Sequence, residues 1–288
     1  MVLKRRRAVV VALVGVLGAA VSAGTAAAGS RTSVVASFYP IAWAAEQVGG
    51  ERVSVTNLTP AGAEPHDLEL TPDQIDKVLD AKVVLELGHG FQPAVERAAE
   101  QRDGPTVQLL ARGTKDPHVW LDPVRMAAIV RTVQRQLSRS DPKGRVVYAR
   151  NANRVLGELG ALDAHYRAGL ARCQRDVIVT GHEAFGHLAQ RYGLRQQGVA
   201  GLSPDAEPDA KRIAQLTDLV KRLGITTIFT EELVSPRIAA TLAREAGVHT
   251  ESLNPLEGLT DPELKRGDDY LSVMNANLAK LRTALSCS

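Results

Sequence analysis

The sequence predicts an α/β fold of two lobes, each with a mainly parallel sheet flanked by helices, joined by one long helix. Three observations lead there. Strand-like and helix-like segments alternate from Ser33 to Leu137. The alternation restarts at Asp176 and runs to the C-terminus. Between the two runs lies a proline-free stretch, Lys143 to Arg172, with Val147, Ala152, Val155, Leu159, Leu162, Tyr166 and Leu170 at roughly helical spacing. Such a run is long beside the mean globular helix of about 11–12 residues. The expected division is 1–28 as a signal peptide, 32–141 as the first lobe, 142–173 as the connecting helix and 174–288 as the second lobe.

In chain order, Ser33 to Phe38 reads as the first strand and Ile41 to Val48 as a short helix ending at Gly49-Gly50. Val53 to Leu58 is a second strand, followed by a Pro60-Ala61-Gly62 turn. Thr71 and Pro72 open a helix as N-cap and first helical residue. Ala81 to Leu87 and Val107 to Leu110 complete the strands of the first lobe, and Val124 to Leu137 is helical by its apolar spacing. In the second half, strands are expected at Val177–Thr180, Gln196–Val199, Thr226–Thr230 and Val248–Leu253. Helices are expected at Phe185–Tyr192, Asp209–Leu223, Pro236–Ala246 and Tyr270–Leu285.

Hydrophobic content of 44% and charged content of 23% are those of an ordinary globular chain. The net charge is only +3, and Lys4 to Arg7 supply part of it. No basic stripe interleaves with aromatics, so no nucleic-acid partner is expected. The first residues combine a basic start, an apolar run and a small-residue end, the layout of a secretory signal peptide cleaved after Ala26, Ala27 or Ala28. A single membrane anchor is the alternative, and the run is short for a span. No cysteine near that zone offers a lipid anchor. In an exported chain the two cysteines, Cys173 and Cys287, favour a disulfide that pins the last helix to the second lobe. Neither has a neighbouring ligand at metal-site spacing.

Three of the seven histidines share a topological position. His66, His118 and His182 each lie in a loop leaving a βα-type unit, beside Pro or Gly. Loops at the carboxyl ends of strands converge on one cleft, and neutral imidazole suits zinc and other late divalent metals. His165, inside the connecting helix, and His249, in a strand, read as structural or solvated. His182-Glu183-Ala184-Phe185-Gly186-His187 resembles the zinc-protease signature with one residue too many. Histidines must be four apart to share a helix face; five apart they are rotated by roughly 140°. His187 and Glu183 therefore drop out as ligand and base. A fourth ligand is expected in Gly267-Asp268-Asp269-Tyr270, with Asp269 capping the last helix and Asp268 projecting into the cleft.

The segments PAGAEPHDLELTP, DPHVWLDP, TGHEAFGHLAQRYGL, GLSPDAEPDAKRI, SLNPLEGLT and GDDYLSVMNANL, taken in order, resemble the solute-binding proteins of zinc and manganese ABC importers. They cover essentially the whole mature chain. The resemblance implies two α/β lobes joined by one long rigid helix, with a metal site in the interlobe cleft. Carried over by motif, the ligands are His66, His118, His182 and Asp268. It also implies an ABC permease as partner, an exported location in the periplasm or on the outer face of the cytoplasmic membrane, a monomer, and no enzymatic activity. A surface adhesin role is attributed to some relatives. Many zinc-specific relatives carry a His- and acid-rich loop before the second histidine; here 110–117 is short and holds none, which adds a separate metallochaperone as an expected partner.

Three imidazoles and one carboxylate form a four-coordinate set that favours Zn2+ over Mn2+, which tolerates more oxygen. In manganese-specific relatives the third histidine is commonly glutamate; here it is His182. Four protein ligands leave no open position for an activated water, whereas catalytic zinc keeps one. The competing class is a secreted zinc hydrolase using the three histidines with Glu183 or Glu64 as base. In the transport reading a rigid helix permits only small rotations or a loop rearrangement, with Asp268 as the mobile ligand on release.

Overall fold

Runs of β-branched and apolar residues form the inner strands of two sheets in the computed structural model, which describes residues 31–204 and 208–288. The expected signal peptide at 1–28 lies outside the described residues. The first sheet consists of β1 (Thr32–Ala36), β2 (Val53–Asn57), β3 (Val83–Glu86) and β4 (Thr106–Gln108), in the order β2-β1-β3-β4. The second consists of β5 (Val177–Thr180), β6 (Arg195–Gly198), β7 (Thr227–Thr230) and β8 (His249–Ser252), in the order β6-β5-β7-β8. Every pairing is parallel. The central strands β1, β3 and β5 are buried nearly throughout, as sheets covered by helices on both faces require. Parallel strands run the same way, so the loops leaving their carboxyl ends gather at one rim of each sheet.

Ten helices lie among the described residues. They are α1 (Tyr39–Gly49), α2 (Pro72–Asp80), α3 (Pro93–Ala99), α4 (Pro123–Ser140), α5 (Arg145–Gly169), α6 (Gly186–Arg191), α7 (Ala210–Leu223), α8 (Arg237–Ala246), α9 (Asp261–Arg266) and α10 (Tyr270–Leu285). The Thr71 N-cap on α2 is a full capping box with Gln74. Two helices, α3 and α9, were not among the sequence expectations. They span only 7 and 6 residues, too few to show a helical period. For α9 a local signal does exist: Thr260 and Glu263 form a capping box, Pro262 sits in the first turn, and Gly267 ends the helix in the left-handed conformation.

The connecting helix α5 is 25 residues long, preceded by a single 3-10 turn at Pro142–Gly144. Its buried stripe is Tyr148, Ala152, Val155, Leu159, Leu162 and Tyr166, in alternating steps of four and three. Tyr148, not Val147, begins it, being four residues before Ala152, and its hydroxyl donates to Asp141 at 2.8 Å. Farther along, the Tyr166 hydroxyl donates to the carbonyl of Met274 in α10 at 2.7 Å.

α10 ties the second lobe to the first. Its first residue, Tyr270, stacks on Trp43 of α1 with centroids 4.7 Å apart and donates its hydroxyl to the carbonyl of Trp120 at 2.5 Å. The principal apolar core consequently runs without a break from Val34 and Trp43, through the α5 stripe, to Phe185, Leu253 and Tyr270. An extensive apolar junction of this kind opposes wide relative motion of the lobes.

The chain end is fixed as expected. Cys173 and Cys287 form a disulfide, and the Ser288 amide donates to the carbonyl of Arg172 at 2.9 Å. The bridge closes a sequence separation of 114 residues, so it constrains the unfolded chain over a long loop. Replacing both cysteines by alanine is expected to lower the unfolding free energy by up to about 5 kcal/mol. Urea titration of the oxidised protein against the double variant measures it. Superimposable unfolding curves would show that the bridge adds nothing.

Candidate metal centre

Each sheet sends two side chains to one point between the lobes. His66 lies in the loop leaving β2. His118 follows β4 and precedes a 3-10 turn at Val119–Leu121. His182 stands two residues beyond β5, and Glu257 lies in the loop leaving β8. The Nε2 atoms of His66, His118 and His182 lie 3.2, 3.1 and 3.3 Å from Glu257 Oε1. His118 Nε2 and His182 Nε2 are 3.3 Å apart. All four ligating atoms fall within 4.8 Å of one another. A tetrahedral zinc site with bonds of roughly 2.0–2.1 Å has ligand–ligand edges of about 3.3–3.4 Å. The spacing and the N3O donor set both fit zinc.

Local structure explains how each group is aimed. Asp116 Oδ1 accepts from the His118 amide at 3.0 Å and holds His118 Nδ1 at 2.8 Å. Glu231, just past β7, does the same for His182: one oxygen accepts its amide at 2.9 Å and the other holds Nδ1 at 2.6 Å. Gly181 is required here, because a Cβ would stand 2.6 Å from Glu231 Oε1. The Glu257 loop is braced by Asn254, whose Oδ1 accepts from the Leu256 amide at 2.7 Å and whose Nδ2 donates to Glu263 of α9 at 2.9 Å. Trp120 of the first lobe donates its indole N–H to the Pro255 carbonyl at 2.8 Å, fixing the same loop from the other side.

Protons occupy the metal-free cluster. A neutral imidazole has one N–H. His118 faces carboxylates through both ring nitrogens, Asp116 and Glu257, and His182 likewise faces Glu231 and Glu257. Each ring thus has a carboxylate facing either nitrogen, which favours the protonated form in the metal-free protein. Burial acts to lower His118, and the carboxylates of Asp116 and Glu257 outweigh it and hold its pKa raised. Burial acts the same way on His182, and Glu231 and Glu257 push it up to about 10. Burial would raise Glu257, but bonds from the three histidines hold it well below the usual carboxylate range. Glu257 Oε2 is buried with no hydrogen-bond partner among the described residues, so the carboxylate has a second oxygen to offer a cation.

Asp268 is not in this cluster, a correction to the expected ligand set. It follows the α9 terminator Gly267, and its carboxylate accepts from Arg266 at 2.8 and 3.1 Å instead. Asp269 does cap α10, accepting from the Ser272 amide at 2.8 Å. His187 does not meet His182 on one face, because His182 precedes α6 altogether; its Nε2 sits 2.9 Å from the Asp116 carbonyl and supports the His118 loop. His165 and His249 are exposed. Glu257 was missed although SLNPLEGLT contains it. Its signal is a lone carboxylate in the otherwise uncharged run from Ser252 to Thr260.

The model of the ZnuA family, described as the periplasmic zinc-uptake complex component A, matches residues 34–284. The chain belongs to this family. It is 36% identical over 280 residues to the zinc-binding lipoprotein AdcA of Streptococcus pneumoniae, covering 88% of this chain and 56% of that one. The chain thus spans about half the length of the AdcA proteins it matches. It is 34% identical over 282 residues to the high-affinity zinc uptake system protein ZnuA of Bacillus subtilis, covering 89% and 88% of the two chains. The crystal structure of the Zn(II)-bound ZnuA-like domain of S. pneumoniae AdcA aligns with a TM-score of 0.78 at 37% identity, over 89% and 99% of the chains. The laminin binding protein Lmb of Streptococcus agalactiae, titled a bifunctional protein with adhesin and metal transporting activity, aligns at 0.82 and 28% identity, over 89% and 100% of the chains.

In this family member, Asp116 and Glu231 hold imidazoles by the nitrogen that does not face the cluster centre. Partners of that kind typically carry roughly 10–100-fold in metal affinity. Asp116→Asn and Glu231→Gln are expected to weaken zinc binding within that range, read by competition titration against a chelator. Wild-type affinity in both variants would show that they do not orient the rings.

Proposed function

We propose that this protein captures zinc outside the cytoplasmic membrane, encloses it between two lobes and delivers it to the permease of an ABC importer. The ligands are His66, His118, His182 and Glu257. The carrying observation is an N3O set drawn equally from both lobes, with four of its edges, 3.2, 3.1, 3.3 and 3.3 Å, close to those around a tetrahedral ion. Four protein donors fill a zinc coordination sphere and leave no water to activate. That favours a carrier over a hydrolase, and three imidazoles favour zinc over manganese. Glu183 is not part of this centre: its amide donates to the Gly201 carbonyl at 2.8 Å, and the cluster among the described residues consists of His66, His118, His182 and Glu257. The protein acts as a monomer. The short, histidine-free segment 110–117 supports a separate metallochaperone as the source of the ion.

Protein purified without added metal is expected to show an anomalous peak at the zinc edge among these four side chains, and tighter equilibrium binding of zinc than of manganese. Density elsewhere, or preference for manganese, defeats this reading. Ester or peptide hydrolysis that is lost in His182→Ala would favour the enzyme instead.

A further inference from the structure

His118, His182 and Glu257 have fully buried side chains, while 13% of the His66 side chain reaches solvent. With the lobes held by a continuous core, a cation reaches the cluster past His66. His66 opens on a cavity of about 200 Å3 whose wall includes His89, Phe91 and Lys115 from the first lobe and Leu202 and Ser203 from the second. Phe91 packs edge-on against the His66 ring, with centroids 4.7 Å apart. It closes one side of the approach with apolar surface. Lys115 stands on the same wall.

His89 is built into that mouth at a cost. Gly88, His89 and Gly90 have φ of 78°, 59° and 86°, three successive residues in the left-handed region. Few non-glycine residues adopt this conformation, histidine more readily than most, and such positions collect at functional sites. The turn is held in place by Glu96, whose two oxygens accept from the Gly90 amide at 2.8 and 3.1 Å. It leaves His89 exposed at the rim. The backbone alone would prefer glycine or asparagine here, and among the described residues no hydrogen bond or ion pair engages the imidazole. Its one structural distinction is the cavity it shares with His66.

We propose that His89 is a transient ligand for the incoming divalent cation. It takes the hydrated ion at the mouth by replacing one bound water with an imidazole nitrogen, then passes it to His66 as the remaining waters leave. This rests on the zinc-carrier reading above. A group that binds the ion only along the path, and not in the final site, lowers the barrier equally in both directions. Its loss must slow capture and release by one factor and leave their ratio, the equilibrium constant, unchanged.

The test is stopped-flow zinc exchange on the full chain, with zinc alone as the probe and a chromophoric chelator as competitor. His89→Asn and His89→Gly are the suitable variants, since both residues tolerate the left-handed backbone and alanine would add strain. Both are expected to lower the association and dissociation rates by about tenfold, ~1.4 kcal/mol of barrier, with Kd within about twofold of wild type. Rates within about twofold of wild type in both variants overturn the proposal. Faster dissociation with weakened Kd also overturns it, because His89 would then be a resident ligand. A wild-type protein that binds no zinc would instead defeat the carrier reading itself.

Discussion

Glu257→Gln is expected to abolish high-affinity zinc binding, while Asp268→Ala leaves it unchanged. Glu257 Oε1 is the point on which all three imidazoles converge. Removing its charge takes one of four donors from the ion and leaves the buried imidazoles of His118 and His182 with less counter-charge. The loss should exceed the roughly 10–100-fold typical of an outer partner. Among the described residues the Asp268 side chain bonds to Arg266, and that pair is partly exposed. A surface pair of this sort contributes little, about 0–1 kcal/mol. Equilibrium titration of the two variants side by side decides the matter. Tight binding by Glu257→Gln, or a large loss in Asp268→Ala, would return the fourth position to Asp268.

Zinc uptake is expected to release protons near neutral pH, with His182 as the main source, because the metal replaces the proton on its Nε2. Calorimetry in buffers of different ionisation enthalpy measures this directly. The same protons set opposite pH trends for the two states. In the metal-free protein, the His182 pKa stands at about 10 against an ordinary 6.5. Its stabilising contribution is complete below 6.5 and disappears as pH rises through about 10. Glu257 lies well below its ordinary 4.5, so its contribution is complete above 4.5 and fades as pH falls. The metal-free cluster therefore stabilises the fold most between 4.5 and 6.5. Zinc binding strengthens as pH rises, since fewer protons must be displaced. The difference in Tm between zinc-loaded and metal-free protein should widen from about pH 6 to about pH 9. A difference that stays constant across that range would show that the histidines are already neutral without metal.

Most of the scaffold was legible because its signals are local. Alternating strands and helices, the Thr71 cap and the Asp269 cap each involve residues within one or two turns of each other. The length of α5 followed from its unbroken apolar spacing, although the buried stripe starts at Tyr148, four residues before Ala152, and not at Val147. Helices α3 and α9 were hidden by their brevity. Missing α9 also displaced the fourth ligand: without that helix, Asp268 looks free to enter the cleft, whereas its preceding Gly267 turns it toward Arg266.

The sequence by itself determined two parallel α/β lobes, a long helix between them, three imidazoles at comparable strand ends and a disulfide from its two cysteines. These follow from periodicity, capping chemistry and residue count, which act over short stretches of chain. Only the tertiary structure decided that Glu257 completes the cluster, that Asp116 and Glu231 orient its rings, and that His66 alone of the four opens to solvent. The physical reason is range. A buried carboxylate persists only where cations or donors surround it, and those of Glu257 come from three loops remote in sequence. Their meeting depends on how two sheets and α10 pack, which no local pattern records.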